Sequence, residues 1–167
     1  MLPTAPEKAQ LLAKEAGVCL TVCFNPKDLV VEKSATWEPI SPVDDEPEAL
    51  FGPPAPASLS VTLLFDTYEE KVSVYKKYTS QLEKLIHILS EEVPRPPLVL
   101  FIWGGFSFAG VVESLSQKYT MFLSNGAPVR AECSLKMKKV RGAVSRRDSN
   151  PRSAPDKRPS FKPLWQG

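Results

Sequence analysis

Histidine and cysteine are scarce in this chain, with one histidine and three cysteines among 167 residues. That scarcity removes several kinds of chemistry at once. A Ser-His-Asp triad or a multi-histidine metal site would have to be built around His87 alone, and its place beside the apolar stripe of an expected helix suits a boundary residue better than a general base. Cys19, Cys23 and Cys133 each fall in alternating apolar runs, where a reduced cysteine acts as a small hydrophobe. An odd count with no secretion signal points to a reducing cytoplasm. Cys19 and Cys23 have three residues between them and no second ligand pair nearby, which is a poor zinc pattern. No catalytic, cofactor-binding or metal-binding set is expected.

Glycine is also sparse, at eight residues. Gly104 and Gly105 follow an apolar run, but strand-like alternation resumes at Phe106 with neither a helix start nor Lys-Ser or Lys-Thr, so they form a turn and no phosphate cradle. The adjacent acids Glu69-Glu70 and Glu91-Glu92 do not face each other as a catalytic acid and base must. Nothing approaches the run of about eighteen apolar residues that spans a bilayer, and the N-terminus is too polar for a secretion signal. The expectation is a protein made and kept in the cytoplasm without membrane insertion.

Charge is present, but unevenly placed. Residues 1–140 carry 14 Lys and Arg against 17 Asp and Glu, a net of −3, whereas residues 141–167 carry 7 against 2, a net of +5. The basic segment has the charge density of a polyanion contact, but the acidic body argues against a specific nucleic-acid partner.

Three regions follow from the patterning: an N-terminal arm at 1–17 with a turn or two of helix at Glu7–Ala16 ended by Gly17, a β domain at 18–140, and a basic, proline-rich flexible tail at 141–167. Strands are expected at Val18–Phe24, Leu29–Trp37, Leu59–Asp66, Leu98–Trp103, Phe106–Leu115, Lys118–Ser124 and Val129–Val140. In this reading Ser116–Lys118 is a polar reversal, Asn125-Gly126 a tight hairpin, and 38–57 a proline-rich loop with acids from Asp44 to Glu48. The stripe Val72, Tyr75, Tyr78 or Thr79, Leu82, Leu85, Ile86 and Leu89 predicts one amphipathic helix over 70–92, capped by Thr67 with Glu70 or by Ser73, stopped by Pro94 and covering Leu98–Trp103. Phe161, Leu164 and Trp165 interrupt the basic tail as a candidate docking element. The fold class is mainly β: an antiparallel barrel or sandwich of about seven strands with one packed helix.

Four stretches carry a resemblance: FNPKDLVVEKSATW (Phe24–Trp37), LSVTLLFDTYEEKVSVYKKYTSQLEKLI (Leu59–Ile86), PPLVLFIWGGFSFAG (Pro96–Gly110) and YTMFLSNGAPVRAECSLKM (Tyr119–Met137). Phe65-Asp66-Thr67, Trp103-Gly104 and Gly126-x-Pro128-x-Arg130-Ala131 give the combination its specificity. Over roughly 18–140 the chain resembles the tube-protein domain of contractile injection systems, a phage-tail-like family often linked to a LysM module; no LysM pattern follows Val140. The resemblance implies a tail-tube fold, a hexameric ring, and a place as tube initiator or adaptor joining the inner tube to the baseplate spike hub. The tail would then dock on a neighbouring baseplate component. Arg130, Glu132, Lys136 and Lys138 are the candidates for ring-interface or lumen positions, with ordinary solvent-exposed charge as the competing reading for each. The alternative function is a monomeric β-barrel binding module for a small ligand or polyanion, which requires an apolar cavity inside the barrel.

Overall fold

The computed structural model describes residues 7–39 and 49–140. Nine strands are seen among the described residues: β1 (Gln10–Ala13), β2 (Val18–Thr21), β3 (Leu29–Glu32), β4 (Trp37–Pro39), β5 (Ala49–Phe51), β6 (Ser58–Asp66), β7 (Val99–Trp103), β8 (Phe106–Phe122) and β9 (Pro128–Lys139). Seven of them form one antiparallel sheet in the order β2-β1-β7-β8-β9-β6-β3. The protein is mainly β. Strands from both ends of that order share one core, Val18 and Leu20 from β2 with Leu59, Leu63 and Phe65 from β6, so the sheet curls around it.

The strongest period-two pattern behaves as alternation requires. Val129, Ala131, Cys133, Leu135 and Met137 of β9 are all buried, and the residues between them face outward. Gly126 takes φ +81 in the turn between β8 and β9, as a tight hairpin there demands. Gly110 has another role: a Cβ there would lie 2.2 Å from the Lys138 carbonyl oxygen, so the closest approach of β8 to β9 requires a residue without one.

Several expected elements differ. The stretch expected to begin a helix at Glu7–Ala16 is strand β1, followed by a 3-10 turn at Lys14–Ala16 that Gly17 ends at φ +65. Pairing to β2 on one side and β7 on the other overrides the helical preference of these residues. β3 stops at Glu32, and Trp37 begins β4, which pairs with β5 as a separate ribbon inside the expected loop 38–57; the acids Asp44–Glu48 lie outside the described residues. The reversal at Ser116–Lys118 is absent. Those residues continue β8, a 17-residue strand, in register with Ser134, Cys133 and Glu132 of β9.

The helix is also shorter and differently phased at its start. Lys71 has φ +53, and Thr67 donates through Oγ1 to the Val72 and Val129 carbonyls, so the expected cap instead pins a turn. A π-helical turn, Tyr75–Thr79, leads into helix α1 (Ser80–Glu83); the Ser80 N–H reaches back to the Tyr75 carbonyl. Of the expected stripe Thr79, Leu82 and Leu85 are buried, whereas Val72 and Tyr75 are exposed and Val74 is buried in their place. The Leu85 and Ile86 N–H groups bond three residues back and close the last turn well before Pro94. The helix packs on the far end of the β6-β9-β8 section: Tyr78 stacks on Phe65 with centroids 4.9 Å apart, and Thr79 Oγ1 lies 2.9 Å from Tyr119 Oη. β7 has one buried face, Val99 and Phe101, and one half-buried, where burial on both was expected.

Candidate functional site

The three central strands differ in length from their neighbours, and that mismatch shapes the surface. β7 pairs with β8 only from Phe106 to Gly110, whereas β9 follows β8 on the other side as far as Phe122. From Val111 to Phe122, β8 therefore has one edge with no strand beside it among the described residues. On the opposite side of the blade, β3 pairs with β6 only from Ser58 to Val61, so Thr62–Asp66 has no strand beside it on that side among the described residues. β6, β9 and β8 thus form a three-stranded blade with two open edges on opposite sides. Unpaired edge N–H and C=O groups are templates for another strand.

The outward face of the blade is mostly polar, with Leu64, Val111 and Met121 as apolar residues at outward register positions. Arg130, Glu132, Lys136 and Lys138 all lie on it, carried by the outward positions of β9, together with Ser58, Ser60 and Thr62 from β6 and Ser114, Ser116 and Lys118 from β8. Its charges are largely compensated. Arg130 donates through Nε and Nη2 to Asp66 Oδ2 at 2.8 and 2.5 Å. Glu113 sits 3.9 Å from both Lys136 and Lys138, and Glu132 stands opposite Lys118 in the strand register. Thr62 and Ser134 hydroxyls meet at 3.3 Å. The Asp66 carboxyl is held below the usual carboxylate range, first by the Tyr68 N–H it accepts and then by Arg130, against some desolvation. The opposite face, by contrast, is apolar and buried in the shared core, with the helix over its far end.

A second feature lies beyond the Ser58 end of β6. The Gly52 N–H bonds to the Thr36 carbonyl and the Ala55 N–H to the Ser34 carbonyl, so β4 and β5 extend the β3-β6 pair into an arm. It presents Trp37 and Phe51, each 61% exposed and in edge-to-face contact at 5.4 Å. At the other end of β6, Phe24 and Tyr68 flank a cleft of about 290 Å³.

Sequence patterning placed the outward β9 charges on one face, and the structure brings all four together there. It did not find the open edges, the aromatic arm or the cleft. One signal was available for β8: nothing from Glu113 to Met121 is Gly, Pro or Asn, the residues a reversal would use. Phe161, Leu164 and Trp165 lie outside the described residues. Among the described residues no group of three or more His, Cys, Asp or Glu could hold a metal ion, and no helix is long and apolar enough to cross a membrane.

A family model described as contractile injection system tube protein matches residues 4–147. No curated protein matches the chain in sequence. Among solved structures, the tail of an empty GTA particle, computed with helical refinement in C6 symmetry, is 17% identical; the match covers 83% of this chain and 93% of that one, with a TM-score of 0.46.

Proposed function

The chain belongs to the contractile injection system tube protein family, and on that premise we propose that it is a structural subunit whose copies close into a hexameric ring joining the inner tube to the baseplate spike hub. The observation that carries ring closure is the pair of open edges on opposite sides of one blade. An edge of one kind meeting an edge of another is a heterologous contact, and heterologous contacts repeated by rotation close into a ring where the rotation completes a full turn, and run on as a helix where it does not. Pairing Val111–Phe122 of one copy with Thr62–Asp66 of the next satisfies both sets of unpaired backbone groups and joins the blades into one continuous wall.

The two faces of the blade suit that wall differently. The apolar face belongs to the subunit body, so the mostly polar face with Arg130, Glu132, Lys136 and Lys138 turns to the channel. A lining of hydroxyls and mutually compensated charges stays hydrated and offers no large apolar patch to passing cargo. The adaptor position, between tube and hub, rests on the resemblance in the four motif stretches. The role is structural and involves no turnover; synthesis is cytoplasmic and the working location is the assembled particle.

The monomeric binding-module reading requires an apolar cavity within the curled sheet, but Leu11, Leu59, Leu63, Phe65, Phe101 and Met137 occupy that interior. Negative-stain microscopy of the purified chain, alone and with its tube and hub partners, tests the ring. Annular particles in either preparation are expected, and dispersed single subunits in both would overturn the reading.

A further inference from the structure

The cleft at the Asp66 end of β6 holds two exposed aromatic side chains, Phe24, whose ring Lys8 Nζ approaches to 6.0 Å, and Tyr68. Phe24 and Tyr68 are 51% and 54% exposed, and backbone bonding fixes the turn between them and the sheet. The Tyr68 N–H donates to Asp66 Oδ1 at 2.8 Å and the Thr67 N–H to the Val129 carbonyl at 2.8 Å. The cleft is thus held open in advance, which lowers the ordering cost of an occupant. Its volume, about 290 Å³, is at the low end of the range for a small binding site and suits a single aromatic side chain. Asp66, Glu69 and Glu70 line it against one base, Arg130. Arg130 is taken by Asp66 and Glu70 by Lys77, while Glu69 is exposed and has no ion pair among the described residues.

We propose that this cleft seats the aromatic end of the chain's own C-terminal segment, Phe161 to Trp165. Charge complementarity favours this occupant: the segment 141–167 has a net charge of +5, and Arg158 and Lys162 bracket Phe161, while the cleft lining has an acidic excess. Length permits it. The strand from Val140 back to Arg130 measures about 33 Å, and the 21 residues from 141 to 161 reach up to about 70 Å when extended. The segment is therefore long enough to reach the cleft of its own subunit. Ring closure is not a premise of this docking.

The test uses the full chain with a photo-crosslinking phenylalanine analogue in place of Trp165, and mass spectrometry to map the crosslinked peptides. Crosslinks to peptides containing Phe24 or Tyr68–Glu70 are expected. Glu69→Lys, at an exposed position with no ion pair among the described residues, is expected to cut their yield about threefold, and Lys162→Glu in the same chain to restore it. Crosslinks elsewhere, including to the Trp37–Phe51 arm of another copy, an absence of crosslinks, or a yield indifferent to both charge changes would overturn the proposal. An equal mixture of isotopically light and heavy chains shows whether the cleft belongs to the same subunit or to a neighbour.

Discussion

At Gly110 one hydrogen atom decides how closely the two longest strands approach. Alanine there places a methyl group 2.2 Å from the Lys138 carbonyl oxygen, a main-chain atom that cannot swing aside. Gly110→Ala is expected to cost about 1–3 kcal/mol, read as a lower thermal midpoint by circular dichroism. Cysteine reactivity is set by the same packing: burial, helped by nearby Glu132, pushes the Cys133 thiol up to about 12, whereas Cys19 is exposed. Alkylation at neutral pH should label Cys19 and leave Cys133 untouched until the protein unfolds. Glu15 gives a pH signature. Its carboxylate accepts two bonds from Arg95, at 2.8 and 3.0 Å, and one from the Leu98 N–H at 2.8 Å, which together hold it at about 2 against an ordinary 4.5. A lowered folded value means that the stabilisation is present above the ordinary value and fades as pH falls from about 4.5 towards about 2. Glu15→Gln should flatten that part of the stability curve and leave the neutral region with little further pH dependence.

At the scale of elements, legibility followed the strength of the period. β6 and β9 were readable because every second residue is buried over nine and twelve positions. The helix was readable in kind and over the later part of its stripe, where Thr79, Leu82 and Leu85 are buried, but not at its start, where Val74 is buried in place of Val72 and Tyr75. Leu82→Ala is therefore expected to cost about 2–5 kcal/mol and Val72→Ala less than about 0.5 in chemical denaturation. β1 was not legible because Leu11, Leu12 and Ala13 suit a helix locally, and pairing with β2 and with distant β7 makes them a strand. The candidate face was legible for the same reason as β9. The open edges were not, because they depend on where β7 and β3 stop, which no local pattern records. Ser116–Lys118 gives a direct check. Asn at 117 and Gly at 118 would suit a reversal, but in a continuous strand they lose the Gln117 donation to the Thr79 carbonyl; Gln117→Asn with Lys118→Gly is expected to destabilise by more than about 1 kcal/mol.

For the whole molecule, the features divide by direction. The two edges lie to the sides of the blade, the aromatic arm at one end of β6 and the acidic cleft at the other; the proposed β6 contact edge and the cleft share only Asp66. Because strand edges pair through the main chain, removing the tail should empty the cleft and leave the proposed ring closure intact. The central claim is that neighbouring copies join edge to edge around a hole, and electron cryomicroscopy of the assembled particle measures this directly. The account predicts strand-to-strand hydrogen bonds between Val111–Phe122 of one subunit and Thr62–Asp66 of the next, with Arg130, Glu132, Lys136 and Lys138 facing the channel. A map in which this chain sits off the axis as a separate subunit, with neither edge paired to a copy of itself, would contradict it.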